Sequence, residues 1–248
     1  MKTLVISNQK GGVGKTAISV HQAHYLEEQG KTVLLIDLDP QGNASKTLGA
    51  YKSGVLATAL FDGSVTSIDR KGGITIVEAD SGLINIERAE AKHILPAFKK
   101  TLAAVGKNFD YCVIDTPPQF GLRLSSALYA ADYVLSPIEL DEYAIDGIVK
   151  MLQTIFGMKQ KYNPNLAFLG ILPNRLNAHS VAQKVALEGL LEQYAQYMIP
   201  ARIGNRSSIP EALRAGVPVW RLKKSSAKDA GAEMLEAFKI IQERMDAS

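Results

Sequence analysis

Residues 8–18 of the chain read NQKGGVGKTAI, a stretch built around three glycines and two lysines. Gly11, Gly12 and Gly14 carry no Cβ, so the backbone here can turn tightly and bring successive N–H groups toward one point. An apolar run, Leu4-Val5-Ile6, precedes the stretch, and a helical pattern follows over 18–28. A strand, a glycine-rich turn and a helix start form the setting in which backbone amides and the positive end of a helix hold phosphate. Lys15 then stands where a cation meets the β and γ phosphates of a nucleotide, with the Thr16 hydroxyl placed to ligate Mg²⁺. Lys10 is harder to place. Lys15 already neutralises the loop's own phosphates, so a second cation on the loop's shoulder is better explained by a phosphate bound elsewhere.

Beyond this loop, short β-branched runs at 3–7, 32–38, 74–78, 111–114, 133–136 and 166–172 alternate with helical patterns. The helices start near Lys15, Ile94, Gly121, Ala144, Val181 and Ala227, the last running to about Met245. Continuous apolar strands separated by helices predict a doubly wound α/β fold, a mostly parallel sheet with helices on both faces. At 248 residues one such domain over 1–248 is expected. Ligands of these sheets sit at the carboxyl ends of the strands, so the loops after Ser7, Leu38, Ile114 and Leu172 are where chemistry is expected.

Three of those loops carry it. LLIDLDPQGN ends a strand with Asp37 and Asp39, two apart and so on one side of an extended chain, where both carboxylates could face the phosphates. Pro40 and Gly42 would equally suit a plain strand-to-helix turn. YCVIDTPP places Asp115 at a strand end, where a carboxylate can hold Mg²⁺ opposite Thr16. GILPNRLN places Asn174 and Arg175 after another apolar strand. An amide offers the donor and acceptor an adenine edge requires, and a guanidinium can stack on the ring; Asn174 could also simply form a turn.

KGGVGKT resembles the deviant Walker A motif, x-K-G-G-x-x-G-K-[ST], of the ParA/MinD group of P-loop ATPases, a SIMIBI-type NTPase fold. The resemblance continues through D-x-D-P-Q-G-N at Asp37 to Asn43, through D-T-P-P at Asp115, and over nearly the whole chain. It implies that the early lysine, Lys10, crosses to the nucleotide of a partner subunit in a face-to-face ATP-dependent homodimer, acting there as a trans cation. It implies that Asp39 positions or activates the attacking water and lies near the metal. Gly11, Gly12, Val13, Gly14, Lys15, Thr16 and Ala17 would contact ATP, with Asn174 and Arg175 toward the adenine. Pro117, Pro118 and Gln119 resemble the segment that senses the γ-phosphate. Two departures stand out: Ala17 replaces the usual second Thr or Ser, and Gly204 replaces a proline in the late loop RIGNRSSIPEALRAGVPV.

Composition narrows the family's possible jobs. A lone cysteine, Cys112, on an apolar strand provides no ligand set for an iron–sulfur cluster. The terminal stretch GAEMLEAFKIIQERMDAS has Met234, Leu235, Phe238, Ile241 and Met245 at helical spacing, but its charges are net acidic, so core packing is expected rather than an anionic membrane surface. No apolar run approaches membrane-spanning length, and a cytoplasmic, nucleoid-associated protein is expected. Net charge is +3, yet residues 201–228 hold seven basic side chains against Glu211 alone, a local +6. Such a patch fits nonspecific DNA, with Arg206, Arg221, Lys223 and Lys224 as the expected contacts; a solvated face with its counter-charges elsewhere is the alternative. The resemblance thus implies a partition ATPase without an N-terminal helix-turn-helix domain, whose hydrolysis a ParB-type partner stimulates. A positioning ATPase for a protein cargo such as a carboxysome or chemotaxis cluster is the alternative, and a dethiobiotin-synthetase-like metabolic enzyme a more distant one.

Overall fold

Leu4, Val5 and Ile6 present apolar side chains on both faces of an extended chain, and such a strand is stable only when both faces are covered. They lie in β1 (Lys2–Ile6), an interior strand of a seven-stranded sheet. The computed structural model describes residues 1–141 and 144–247, with backbone alone at 144–146. The remaining strands are β2 (Val33–Asp37), β3 (Lys52–Leu56), β4 (Ile74–Glu78), β5 (Tyr111–Asp115), β6 (Tyr133–Glu139) and β7 (Ala167–Asn174). They lie side by side in the order β3-β4-β2-β5-β1-β6-β7, and every pairing is parallel.

The helices are α1 (Lys15–Glu28), α2 (Asn43–Thr47), α3 (Ala59–Asp62), α4 (Leu83–Ile86), α5 (Ala91–Val105), α6 (Leu122–Ala130), α7 (Ala144–Lys161), α8 (Val181–Tyr194), α9 (Ser208–Ala215) and α10 (Ser225–Asp246). Alternate strand residues feed two separate cores. Leu4 and Ile6 pack with Ile18 of α1, Ile209 of α9 and Phe238 of α10, while Val5 joins Phe98 of α5, Leu128 of α6 and Met151 of α7. Each large side chain in these layers contributes about 1.5–3 kcal/mol by leaving water.

The doubly wound α/β expectation therefore describes the sheet, and six of its strands fall where apolar runs predict them. β3 does not, because Lys-Ser-Gly-Val-Leu at a sheet edge alternates half-buried and exposed residues and gives little apolar signal. Segment 201–228 is also more structured than its charge suggests: α9 lies inside it, with Ile209 and Ala212 buried. The terminal helix packs as expected, burying Met234, Phe238, Ile241 and Met245, with Leu235 partly covered. Among the described residues no helix is long and apolar enough to cross a membrane. Cys112 is wholly buried, and burial pushes its thiol well above the usual range, as suits a structural residue.

Register is what positions the site. Ile6 pairs with Asp115, and Asp115 pairs with Asp37, so the ends of β1, β5 and β2 form one row at the carboxyl edge.

Candidate active site: a phosphate loop at the carboxyl edge

The chain leaves β1, turns through the glycines and enters α1, leaving a cavity of about 600 Å³ above the sheet edge. Gly12 and Gly14 both adopt the left-handed conformation, at φ 79° and 91°, which glycine occupies without steric cost. At Gly14 the demand is double, because a Cβ there would lie 2.3 Å from Asn174 Nδ2. Gly11, Gly12, Gly14, Lys15, Thr16 and Ala17 all line the cavity; Val13 is buried beneath it.

Lys15 and Lys10 separate in space. Lys15 is buried, lines the cavity, and donates from Nζ to the Lys10 carbonyl at 3.0 Å. Burial lowers its pKa, opposed by the nearby Asp115 and Asp39 carboxylates. Lys10 is absent from the cavity wall; its side chain is 43% exposed and ion-paired with Asp141, just beyond β6. The Lys10 N–H is held by Asn8 Oδ1 at 2.8 Å, which fixes the shoulder of the loop.

Thr16 Oγ1 donates to Asp115 Oδ2 at 2.7 Å, bringing together the two residues expected to face a metal. Ser19, one turn further along α1, donates to Asp115 Oδ1 at 3.1 Å. Sequence reading missed Ser19, although its position four residues after Lys15 puts it on the same helix face. Burial pushes the Asp115 carboxyl up to about 7, with Asp37 adding to the rise and the Thr16 and Ser19 hydroxyls and Lys15 opposing it. Such a carboxyl pairs readily with an added cation.

Asp37, the last residue of β2, and Asp39 just beyond it point to different partners, although an extended strand would let both carboxylates face the phosphates. Asp37 is fully buried; its Oδ2 accepts from the Ser45 N–H at 2.9 Å and hydroxyl at 2.7 Å, and its Oδ1 accepts from the Asp39 N–H at 3.1 Å. It thus ties the turn to the start of α2 instead of facing phosphate. Asp39 lines the cavity, with Oδ1 accepting from the Gln41 N–H at 3.0 Å.

Asn174 and Arg175 line the cavity as well, but both hold the loop itself. Asn174 Nδ2 donates to the Val13 carbonyl at 2.8 Å, and Arg175 Nη1 donates to the Gly12 carbonyl at 2.8 Å. Arg175 takes φ 57°, an uncommon conformation for a residue with a side chain, and its guanidinium also meets Glu139 at 3.6 Å. β7 extends to Asn174, so the amide belongs to the strand end and not to a turn. Beside it, Gly204, Arg206, Ile209 and Leu213 complete the half-apolar far end of the cavity. Pro118, from the D-T-P-P segment, lines the near end.

Three of the four basic residues expected to face DNA carry ion pairs within the molecule, and Arg221 and Lys224 remain exposed. Arg206 lies in the cavity wall and pairs with Glu233 at 2.6 Å and Asp229 at 3.4 Å. Arg221 pairs with Glu28 at 2.6 Å, and Lys224 with Glu211. Lys223 is exposed and has no ion-pair partner among the described residues. Trp220 packs edge-on against His21 and Phe238 and donates to Glu28 at 2.9 Å.

A seven-stranded parallel sheet with a glycine-rich strand-to-helix loop, an internal lysine and a hydroxyl–carboxylate pair is the α/β fold of the P-loop NTPases. The family model described as an AAA domain matches residues 1–168. Protein IncC of Escherichia coli is 44% identical over 261 residues, an alignment covering 100% of this chain and 71% of that protein. The chromosome partitioning protein ParA of Myxococcus xanthus is 33% identical over 203 residues, covering 74% of this chain and 70% of that one. Among solved structures, the cobyrinic acid a,c-diamide synthase of Mycobacterium smegmatis with bound ATP analogue and magnesium superposes with a TM-score of 0.73. It is 29% identical, covering 96% of this chain and 93% of that one. The chain belongs to the ParA/MinD family of deviant Walker A ATPases.

Proposed function

We propose that the protein is a partition ATPase in which ATP closes a two-fold dimer, the dimer binds nonspecific DNA, and a ParB-type partner on the cargo stimulates hydrolysis and release. The observation that carries this reading is the separation of the two loop lysines. Lys15 serves the cavity of its own chain, whereas Lys10 lies outside that cavity with its ammonium on an exposed acid, able to exchange one anionic partner for another across a subunit boundary. A cation delivered that way makes hydrolysis depend on dimerisation.

Within one protomer the loop amides and Lys15 hold the phosphates of ATP, the substrate. Thr16 and Asp115 would hold Mg²⁺, with Asp39 nearby; the paired hydroxyl and the raised carboxyl fit a hard cation that keeps most of its ligands from phosphate and water. Bound there, magnesium supplies charge neutralisation at the phosphates. Asp39, free on one oxygen among the described residues, orients the attacking water and accepts its proton. Asn174 and Arg175 keep the loop in shape beneath the nucleotide.

The test is sedimentation and DNA binding with ATP, ADP or no nucleotide, each with magnesium. A dimer formed only with ATP, binding random-sequence duplex in a salt-dependent way, is expected. A DNA-indifferent monomer under all three conditions overturns the reading. The likeness to a synthase favours the competing possibility of a carboxylate-activating enzyme, for which turnover would require a small acid and ignore DNA.

A further inference from the structure

Glu87, just after α4, reaches across to the start of α6, 35 residues further along the chain. Its Oε2 accepts from the Leu122 N–H at 2.6 Å, and its Oε1 accepts from the Arg123 N–H at 3.3 Å and from Arg123 Nε at 2.7 Å. Both carboxylate oxygens are thus spent on the first turn of a helix, where backbone N–H groups have no partner within the helix and negative charge is favoured. The Arg123 side chain is only 6% exposed, so one side of the pair is shut off from water. Gly121 leaves room for the approach, since a Cβ there would lie 2.2 Å from Glu87 Oε2.

This contact fixes the far end of the segment that leaves the metal-facing carboxylate. Asp115 ends β5, Thr116 Oγ1 donates to the Ile6 carbonyl at 2.7 Å, and Leu122 begins α6. Between those attachments run Pro117, Pro118, Gln119, Phe120 and Gly121, in neither helix nor strand. The two prolines have no N–H to donate, and Gln119 and Phe120 are exposed, so the course of the segment is set chiefly by its ends. Thr116 and Pro118 line the nucleotide cavity, and a Cβ on Gly11 would stand 4.0 Å from Pro118 Cβ. A shift at the Glu87 end therefore moves the wall beside the phosphate loop and Asp115, where the last phosphate of a triphosphate and its metal would lie. The loop amides, Lys15 and the far end of the cavity at Asn174 and Gly204 come from other elements, so a diphosphate would be held without this wall.

Resting on the ATPase reading above, we propose that Glu87 is a positioning residue for the nucleotide site: it sets the course of 117–121 and thereby the preference of the cavity for a triphosphate over a diphosphate. Glu87 does not line the cavity and acts through the segment it holds.

The experiment measures, by calorimetric titration of the full chain with magnesium, the affinities for a slowly hydrolysed ATP analogue and for ADP. Glu87→Gln keeps the size of the side chain but offers one acceptor oxygen where two are used. Its affinity for the analogue is expected to fall roughly tenfold, the scale of one lost charge-assisted hydrogen bond, with ADP binding unchanged. Gly121→Ala attacks the same contact from the other side, pushing away the flexible tip of Glu87 while keeping both charges, and is expected to give the same selective loss. The double variant is expected to lose no more than either single one, because both remove one contact. Should Glu87→Gln fail to fold with its guanidinium short of an acceptor, as thermal unfolding would show, Gly121→Ala decides. In a folded variant, a loss shared equally by analogue and ADP, or no loss at all, overturns the positioning role and leaves the functional reading standing. A wild-type chain that binds neither nucleotide overturns both.

Discussion

His21 makes the stability of the helix behind the phosphate loop depend on pH. Its ring is fully buried in α1, and Nδ1 lies 2.7 Å from the Ala17 carbonyl. A carbonyl can only accept, so Nδ1 carries the proton and Nε2 is a bare, buried nitrogen without a partner. Protonating Nε2 would place a charge among apolar neighbours, and burial accordingly pushes the His21 pKa down to about 4. An unfolded histidine titrates near 6.5, so between about pH 6.5 and 4 the unfolded chain binds a proton that the folded chain does not. Stability is therefore lost as pH falls through that window and the loss levels off below it. At about 1.4 kcal/mol per pH unit the full window corresponds to roughly 3 kcal/mol, and the step from pH 7 to pH 5 to about 2 kcal/mol.

Asp115 acts in the opposite sense. Its folded pKa, about 7, lies above the unfolded value, so its contribution is present at low pH and lost as pH rises. Comparison with a variant cancels it. His21→Phe keeps a flat ring against Trp220, which stands 5.7 Å away, but cannot be protonated. Urea unfolding of both chains at pH 7 and pH 5 should show the difference between them moving by about 2 kcal/mol in favour of the variant at the lower pH. Parallel behaviour at the two pH values would refute the burial argument.

Changes in the site itself carry further predictions. Gly14→Ala puts a Cβ 2.3 Å from Asn174 Nδ2 in a left-handed conformation, and should cost roughly 1–3 kcal/mol of stability together with most of the ATP affinity, read by thermal unfolding and calorimetric titration. Lys10→Ala should still bind ATP yet sediment as a monomer; a normal ATP-dependent dimer would remove the cross-subunit role. Asp39→Ala should slow turnover by roughly 10²-fold or more and accumulate an ATP-bound form on DNA, whereas an unchanged rate would take Asp39 out of the mechanism.

The phosphate loop is legible in the amino-acid sequence because its chemistry is local. Glycines at 11, 12 and 14, a lysine and a threonine act within a few residues of one another, and a strand and helix on either side complete the context. The same holds for the sheet, since both faces of β1, β2 and β5 are apolar and buried. β3 is not legible, because an exposed edge has little apolar pattern to read.

Roles set by distant partners are not readable in this way. Asp37 and Asp39 look equivalent along an extended strand, yet Ser45 captures the first and leaves the second facing the cavity. Asn174 and Arg175 suggest contacts to a base along the sequence, but nothing there shows that they also grip loop carbonyls 161 and 163 residues away. The basic run at 201–228 looks like one footprint along the chain, but in space Glu28, Glu211 and Glu233 lie beside three of its members. Backbone conformation and apolar periodicity are written into neighbouring residues, so the chain alone prescribes a parallel sheet ending in a phosphate loop. Which charges remain unpaired depends on Coulomb partners brought together by folding, and only the packed structure sets Glu233, Glu28 and Glu211 beside Arg206, Arg221 and Lys224.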